Sequence, residues 1–116
     1  MNDSILTSIK KLLGITAEYT VFDQDIIIHI NTVFFTLRQI GVGPADGFNI
    51  TDSSQTWGDF LGNSKNLEAV KTYIYQKVRL LFDPPQNSAF IEAIKASIAE
   101  LEWRLNVEVD PGKDNI

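Results

Sequence analysis

A proline pair falls between two long stretches of helical periodicity, in Phe82-Asp83-Pro84-Pro85. Neither proline has a backbone N–H with which to continue a helix arriving from Leu67, so the chain must turn there. The next stretch, Ser88 to Asn106, again spaces apolar residues at three and four. The C-terminal half therefore reads as two helices joined by a short rigid elbow, with Asp83, Pro84 and Pro85 as its structural residues and Asp83 placed to bond the elbow backbone.

Upstream, Ile5, Leu6, Ile9, Leu12 and Leu13 form an apolar stripe that Asp3 or Ser4 can cap and that Gly14 can end. Asp23 is a good cap for a longer helix over 24–40, closed by Gly41. Together these predict a mainly α fold, a small bundle of four helices at about 3–13, 24–40, 64–82 and 88–106. Residues 1–106 form the helical domain, and 107–116, with Asp110-Pro111-Gly112 and a polar end, read as a flexible tail. The segment 41–63 is far longer than a usual helix connection. Within it Phe48 and Ile50 alternate with polar residues, Thr51 to Ser54 is turn material and Trp57 can return as a partner strand, which predicts a short β-hairpin followed by a helical turn at Asp59 to Leu61.

At 116 residues the chain suits one domain, and 44% hydrophobic residues suit a folded one. A net charge of −5 argues against a surface that condenses onto DNA or anionic lipid. The absence of cysteine excludes disulfides, thiolate catalysis and zinc-thiolate sites. Met1-Asn2-Asp3-Ser4 lacks the order of a signal peptide and no apolar run approaches membrane length, so the expectation is a soluble protein, cytoplasmic at synthesis.

More apolar faces are present than one small bundle needs. At about 100° per residue, Ile26, Ile27, Ile30, Val33, Phe34, Leu37 and Ile40 share one face of the second helix, whereas Ile28 and Phe35 lie nearly opposite. The third helix has a main stripe of Leu67, Val70, Ile74, Val78 and Leu81, flanked by Ala69, Tyr73 and Leu80. Such extra ridges need either a central position in the bundle or a neighbouring subunit, and Ile28, Phe35, Tyr73 and Leu80 are the candidate subunit-interface residues. On the last helix Trp103 sits beside Ala96 and Ala99, opposite the core stripe, either as a docking spot or folded back on the first helix or the tail. Val107-Glu108-Val109 alternates well enough to add a strand to a partner's sheet.

Catalytic chemistry finds no support. The single histidine, His29, falls on the polar side of the second helix one turn from Asp25 and reads as solvated, with neither Glu-x-x-His nor His-x-x-x-His spacing nearby. Glu100 and Glu102 point apart, so no carboxylate metal site is expected, and no cofactor. Lys10, Lys11, Lys71, Lys77 and Arg79 read as scattered solvated cations rather than a nucleic-acid groove.

The ordered set Leu12-Leu13-Gly14-Ile15, Phe22-Asp23, Gln39-Ile40-Gly41-Val42-Gly43, Gly47-Phe48-Asn49-Ile50-Thr51-Asp52 with Trp57, and Phe82-Asp83-Pro84-Pro85 followed by Leu101-Glu102-Trp103-Arg104-Leu105 resembles the head-tail connector (adaptor) proteins of long-tailed bacteriophages and prophages, from about residue 5 to 110. The resemblance implies a non-enzymatic subunit of the virion neck that forms a homo-oligomeric ring, of about twelve copies, beneath the portal protein. Such a ring extends the DNA channel and gives a docking platform to the next neck component, a head-completion, stopper or tail protein. The C-terminal helix and tail are expected to reach the portal, here Trp103, Val107, Val109 and Ile116. The long loop, with Phe48, Ile50 and Trp57, is expected at the lower ring or lumen. Twelve copies would carry on the order of −60, so DNA would pass without being gripped or read. The alternative is a small DNA-packaging protein resembling a terminase small subunit, or a DNA-binding regulator. That reading needs a recognition helix with clustered Lys or Arg, which no helix here carries.

Overall fold

Ser4 starts the first helix, its hydroxyl accepting the Thr7 N–H at 3.2 Å. This helix, α1, spans Ile5–Leu12, and the chain leaves it through Gly14 at φ +83°, a conformation that favours glycine. The computed structural model describes residues 2–62 and 66–109. Four further helices follow: α2 (Asp23–Gln39), α3 (Trp57–Leu61), α4 (Leu67–Phe82) and α5 (Ser88–Val109). The fold is mainly α, as the periodicity predicts.

Boundaries differ in instructive ways. Asp23 is the first residue of α2 rather than its cap; Phe22 holds the cap position and Asp23 turns to Lys10 instead. The elbow after α4 is present, but the side chain that caps α5 is Asn87, whose Oδ1 accepts the N–H groups of Ala89 and Phe90 at 2.8 and 3.3 Å. α5 continues to Val109, three residues into the segment read as tail. Residues 110–116, and 63–65 with the start at 64 expected for the helix before the elbow, lie outside the described residues.

α4 is the central helix. It packs against α2 on one side and α5 on another, while α1 crosses both α2 and α4. Phe22 at the start of α2 meets Phe82 at the end of α4, centroids 5.3 Å apart, so these two run antiparallel. The elbow makes α5 antiparallel to α4. α2 and α5 therefore run in the same direction, and their C-terminal ends meet where Asn106 Nδ2 donates to the Ile40 carbonyl at 3.2 Å. Ile5, Ile9, Ile26, Ile30, Ile74 and Val78 are fully enclosed between α1, α2 and α4, each isoleucine gaining about 1.5–3 kcal/mol from burial.

The predicted hairpin does not form. Extended backbone at Thr56 bridges instead to Ser4: Ile5 N–H donates to Gln55 O at 3.0 Å and Trp57 N–H to Asp3 O at 3.1 Å. Side chains have taken the groups a hairpin would pair. The Asn31 amide grips both the N–H and the carbonyl of Ile50, at 2.8 and 3.0 Å, and Gln55 Oε1 accepts from Thr51 and Asp52. The helical turn expected at Asp59 is α3, begun by a capping box in which Thr56 and Asp59 each accept the other's N–H.

Candidate functional site

The second apolar ridge of α2 faces outward. Ile28 is 61% exposed and Phe35 58%, because the core uses the opposite side of the helix. The matching flank of α4 is different: Tyr73 is fully buried and Leu80 half-buried against the core. α4 is the central helix, so its own neighbours cover that flank, and Tyr73 is not the outward-facing interface residue expected from periodicity. Its hydroxyl lies near the Glu102 carboxylate without a well-aligned hydrogen bond to it. Burial first, and then the nearby Glu102 carboxylate, pushes the phenol pKa well above the usual tyrosine range.

The aromatic and aliphatic side chains of the long loop also turn inward, which corrects their expected place at a lumen or lower surface. Ile50 and Trp57 are each 1% exposed, and Trp57 Nε1 donates to Ser8 Oγ at 3.1 Å. Phe48 is half-buried in a cluster with Phe34 and Phe60, centroids 5.4 and 5.3 Å away. The closeness of this packing requires glycine at Gly43, where φ is +89° and a Cβ would run into the Phe60 ring. What the loop shows to solvent is polar: Asn49, Asp52 and Ser53. Ser54 donates to Asp52 Oδ1 through its hydroxyl and then its N–H, which lowers the Asp52 pKa.

α5 keeps a long face uncovered. Phe90 is 64% and Trp103 62% exposed, so the indole is not folded back on the first helix. Ala89, Ala96 and Ala99 are exposed with it, and Glu100 pairs with Arg104 at 2.9 Å beside the stripe. Val107 is half-buried. The Val109 side chain and Ile116, the other residues assigned to portal contact, lie outside the described residues.

Three features differ from what the sequence predicts or go beyond it. Lys10, expected to be a solvated cation, is 2% exposed: Nζ donates to the carbonyls of Ala17 and Tyr19 at 3.1 and 2.8 Å and lies 2.8 Å from Asp23 Oδ1. The last contact is an ion pair without hydrogen-bond alignment. One buried charge thus ties the connector 15–22 to both α1 and α2. The signal was present, since Lys10 falls inside the apolar stripe of α1, four residues after Leu6 and three before Leu13. The connector in turn displays Tyr19 and Val21, 49% and 71% exposed, and the Tyr19 ring lies tilted against Phe22 with centroids 5.8 Å apart. His29 is half-buried with its ring 6.5 Å from Phe82 rather than solvated beside Asp25.

Past the end of α2 the surface is concave. Arg38, Gln39, Gly41, Gly43, Pro44 and Ala45 line a depression of about 450 Å³, and Arg38 Nε is held by the Ala45 carbonyl at 3.0 Å. Among the described residues no group of three or more His, Asp or Glu side chains converges as metal ligands would, and no helix is long and apolar enough to cross a membrane. The surface thus carries an apolar ridge on α2, an exposed indole on α5 and a concavity past the end of α2. A family model described as phage connector protein matches residues 5–112. No curated protein and no solved structure matches the chain.

Proposed function

The chain belongs to the phage connector protein family, and from that premise we propose that it is a structural subunit of the neck, forming a ring beneath the portal. Membership implies association with other virion components. The observation that carries the finer reading is the exposed Ile28 and Phe35 ridge, apolar surface on a helix whose other face already fills the core. Copies of the subunit cover that ridge in the ring. The role is scaffolding, with no catalytic step.

The C-terminal end of α5, from Val107 onward and including Val109 and Ile116, contacts the portal. The loop 41–56 reaches the lower ring surface with its polar residues, since its large side chains are spent on anchoring it. A chain of net charge −5 gives the channel a wall that repels duplex DNA and lets it pass unread. The lower face receives the next neck or tail protein.

Electron microscopy of the chain mixed with its own portal tests this reading. A closed ring continuing the portal axis is expected; portal rings left bare, or carrying isolated copies, overturn it. Deleting 107–116 should remove portal binding while leaving most of the helical signal, and normal co-sedimentation of the truncated chain contradicts the tail assignment. Firm duplex binding at low salt would favour a DNA-packaging protein instead.

A further inference from the structure

Resting on the ring reading, we propose that neighbouring copies join head to tail through two unlike edges: the ridge and concavity at α2 of one copy receive the outer stripe of α5 from the next. α4 lies between α2 and α5 over most of their length, the two touching only at their C-terminal ends through Asn106 and Ile40, so each keeps an outward face of its own on a flat molecule measuring 48 × 35 × 19 Å. Two unlike, complementary edges on one chain are what a heterologous, closing contact requires. Both helices run in the same direction within the subunit. Rotation about an axis along them keeps α2 of one copy parallel to α5 of its neighbour.

The spacings match. Ile28 and Phe35 are seven residues apart, and on α5 Ala89, Ala96 and Trp103 also recur every seven, all exposed. Seven residues is about 10.5 Å of helix, the repeat at which parallel helices keep large side chains in register with the gaps opposite. Placing Ile28 over Ala89 sets Phe35 over Ala96, large upon small at both points. One repeat beyond Phe35, α2 has ended and the 450 Å³ depression opens at Gly41 and Gly43. Trp103 arrives there, the largest side chain of the stripe opposite the smallest residues of the other edge.

Charge agrees with this register. Arg38, three residues past Phe35, comes beside Glu100, four past Ala96. The Ala45 carbonyl already holds the guanidinium at the rim, so less rotamer freedom is lost when the contact forms. A two-fold contact of ridge on ridge would set large side chains against large ones and leave the indole and the depression unused. Trp103 accordingly serves the lateral contact rather than the portal face suggested by family resemblance.

The natural chain has no cysteine, so placed thiols report the contact cleanly. The experiment oxidises the Ile28→Cys/Ala89→Cys variant assembled on its portal, with each single variant beside it. Both positions are exposed, and circular dichroism checks that the fold is kept. The double variant is expected to give a ladder of covalent dimers, trimers and larger species, the single variants none, and an equimolar mixture of the two singles dimers only. Trp103→Ala should lower the amount of assembled chain by at least about tenfold. An assembled chain that gives no ladder overturns this contact and leaves the ring reading standing. Efficient dimers from Ile28→Cys alone overturn it in favour of a two-fold contact, and a chain that does not assemble on the portal at all takes the ring reading down with it.

Discussion

α2 and α5 are the two longest helices, yet they are held in opposite ways. α2, with 17 residues, buries six side chains between α1, α4 and the long loop, and its outward ridge is surplus to a face already satisfied. α5, with 22 residues, buries only Ile98 and Leu105 among its described side chains and leans mainly on α4. The one is fixed by its own subunit; the other has a single neighbour along most of its length and an indole in water. Helices of the second kind draw little of their order from the monomer and stand to gain most from a partner.

The two tryptophans give the largest expected contrast. Trp57→Ala, at the enclosed junction of α1, α3 and the loop, should cost about 3–5 kcal/mol in urea unfolding. Trp103→Ala should change the monomer by less than about 0.5 kcal/mol, and equal losses would erase the distinction between a core tryptophan and an assembly tryptophan. Lys10→Ala follows, at about 3 kcal/mol, the low end for breaking a buried pair because Asp23 keeps some solvent contact. Hydrogen exchange should rise across 15–22 in that variant and stay unchanged in α5; a rise confined to α5 would contradict the pinning role. Asn31→Ala should cost about 1–3 kcal/mol by stranding both backbone groups of Ile50, with faster proteolysis of the loop as the accompanying sign.

Tyr73→Phe has the smallest effect at neutral pH, since the hydroxyl it removes makes no well-aligned hydrogen bond, only a contact with Glu102. Its effect lies in the pH dependence. The folded phenol holds its proton more tightly than the unfolded one, so that contribution is complete below the ordinary tyrosine pKa of about 10 and is lost as pH rises above it. Urea midpoints of the natural chain should fall in that alkaline range more steeply than those of Tyr73→Phe; parallel curves would show that the group does not carry the shift.

Much of this was legible in the chain. Helical periodicity, the Ser4 cap, the Gly14 exit and the proline elbow are local signals, and each is where residue chemistry puts it. Ile28 and Phe35 were readable as outward because α2 lies at an edge of the bundle, whereas the identical reasoning misplaced Tyr73 because periodicity cannot tell an edge helix from a central one. The hairpin failed for another reason: alternation at Phe48 and Ile50 records burial, and it was the amide of Asn31, 19 residues away, that took the backbone groups. Lys10 was missed by reading charge as exposure, although its place within an apolar stripe argued otherwise.

Iodide quenching of tryptophan emission across a range of chain concentrations tests most directly whether assembly covers the exposed faces, since the chain has two tryptophans, one enclosed and one in water. About half the emission should be quenchable in the dilute monomer, falling towards none as copies associate and Trp103 is enclosed. Emission that stays half quenchable after the chain has demonstrably assembled would contradict the account.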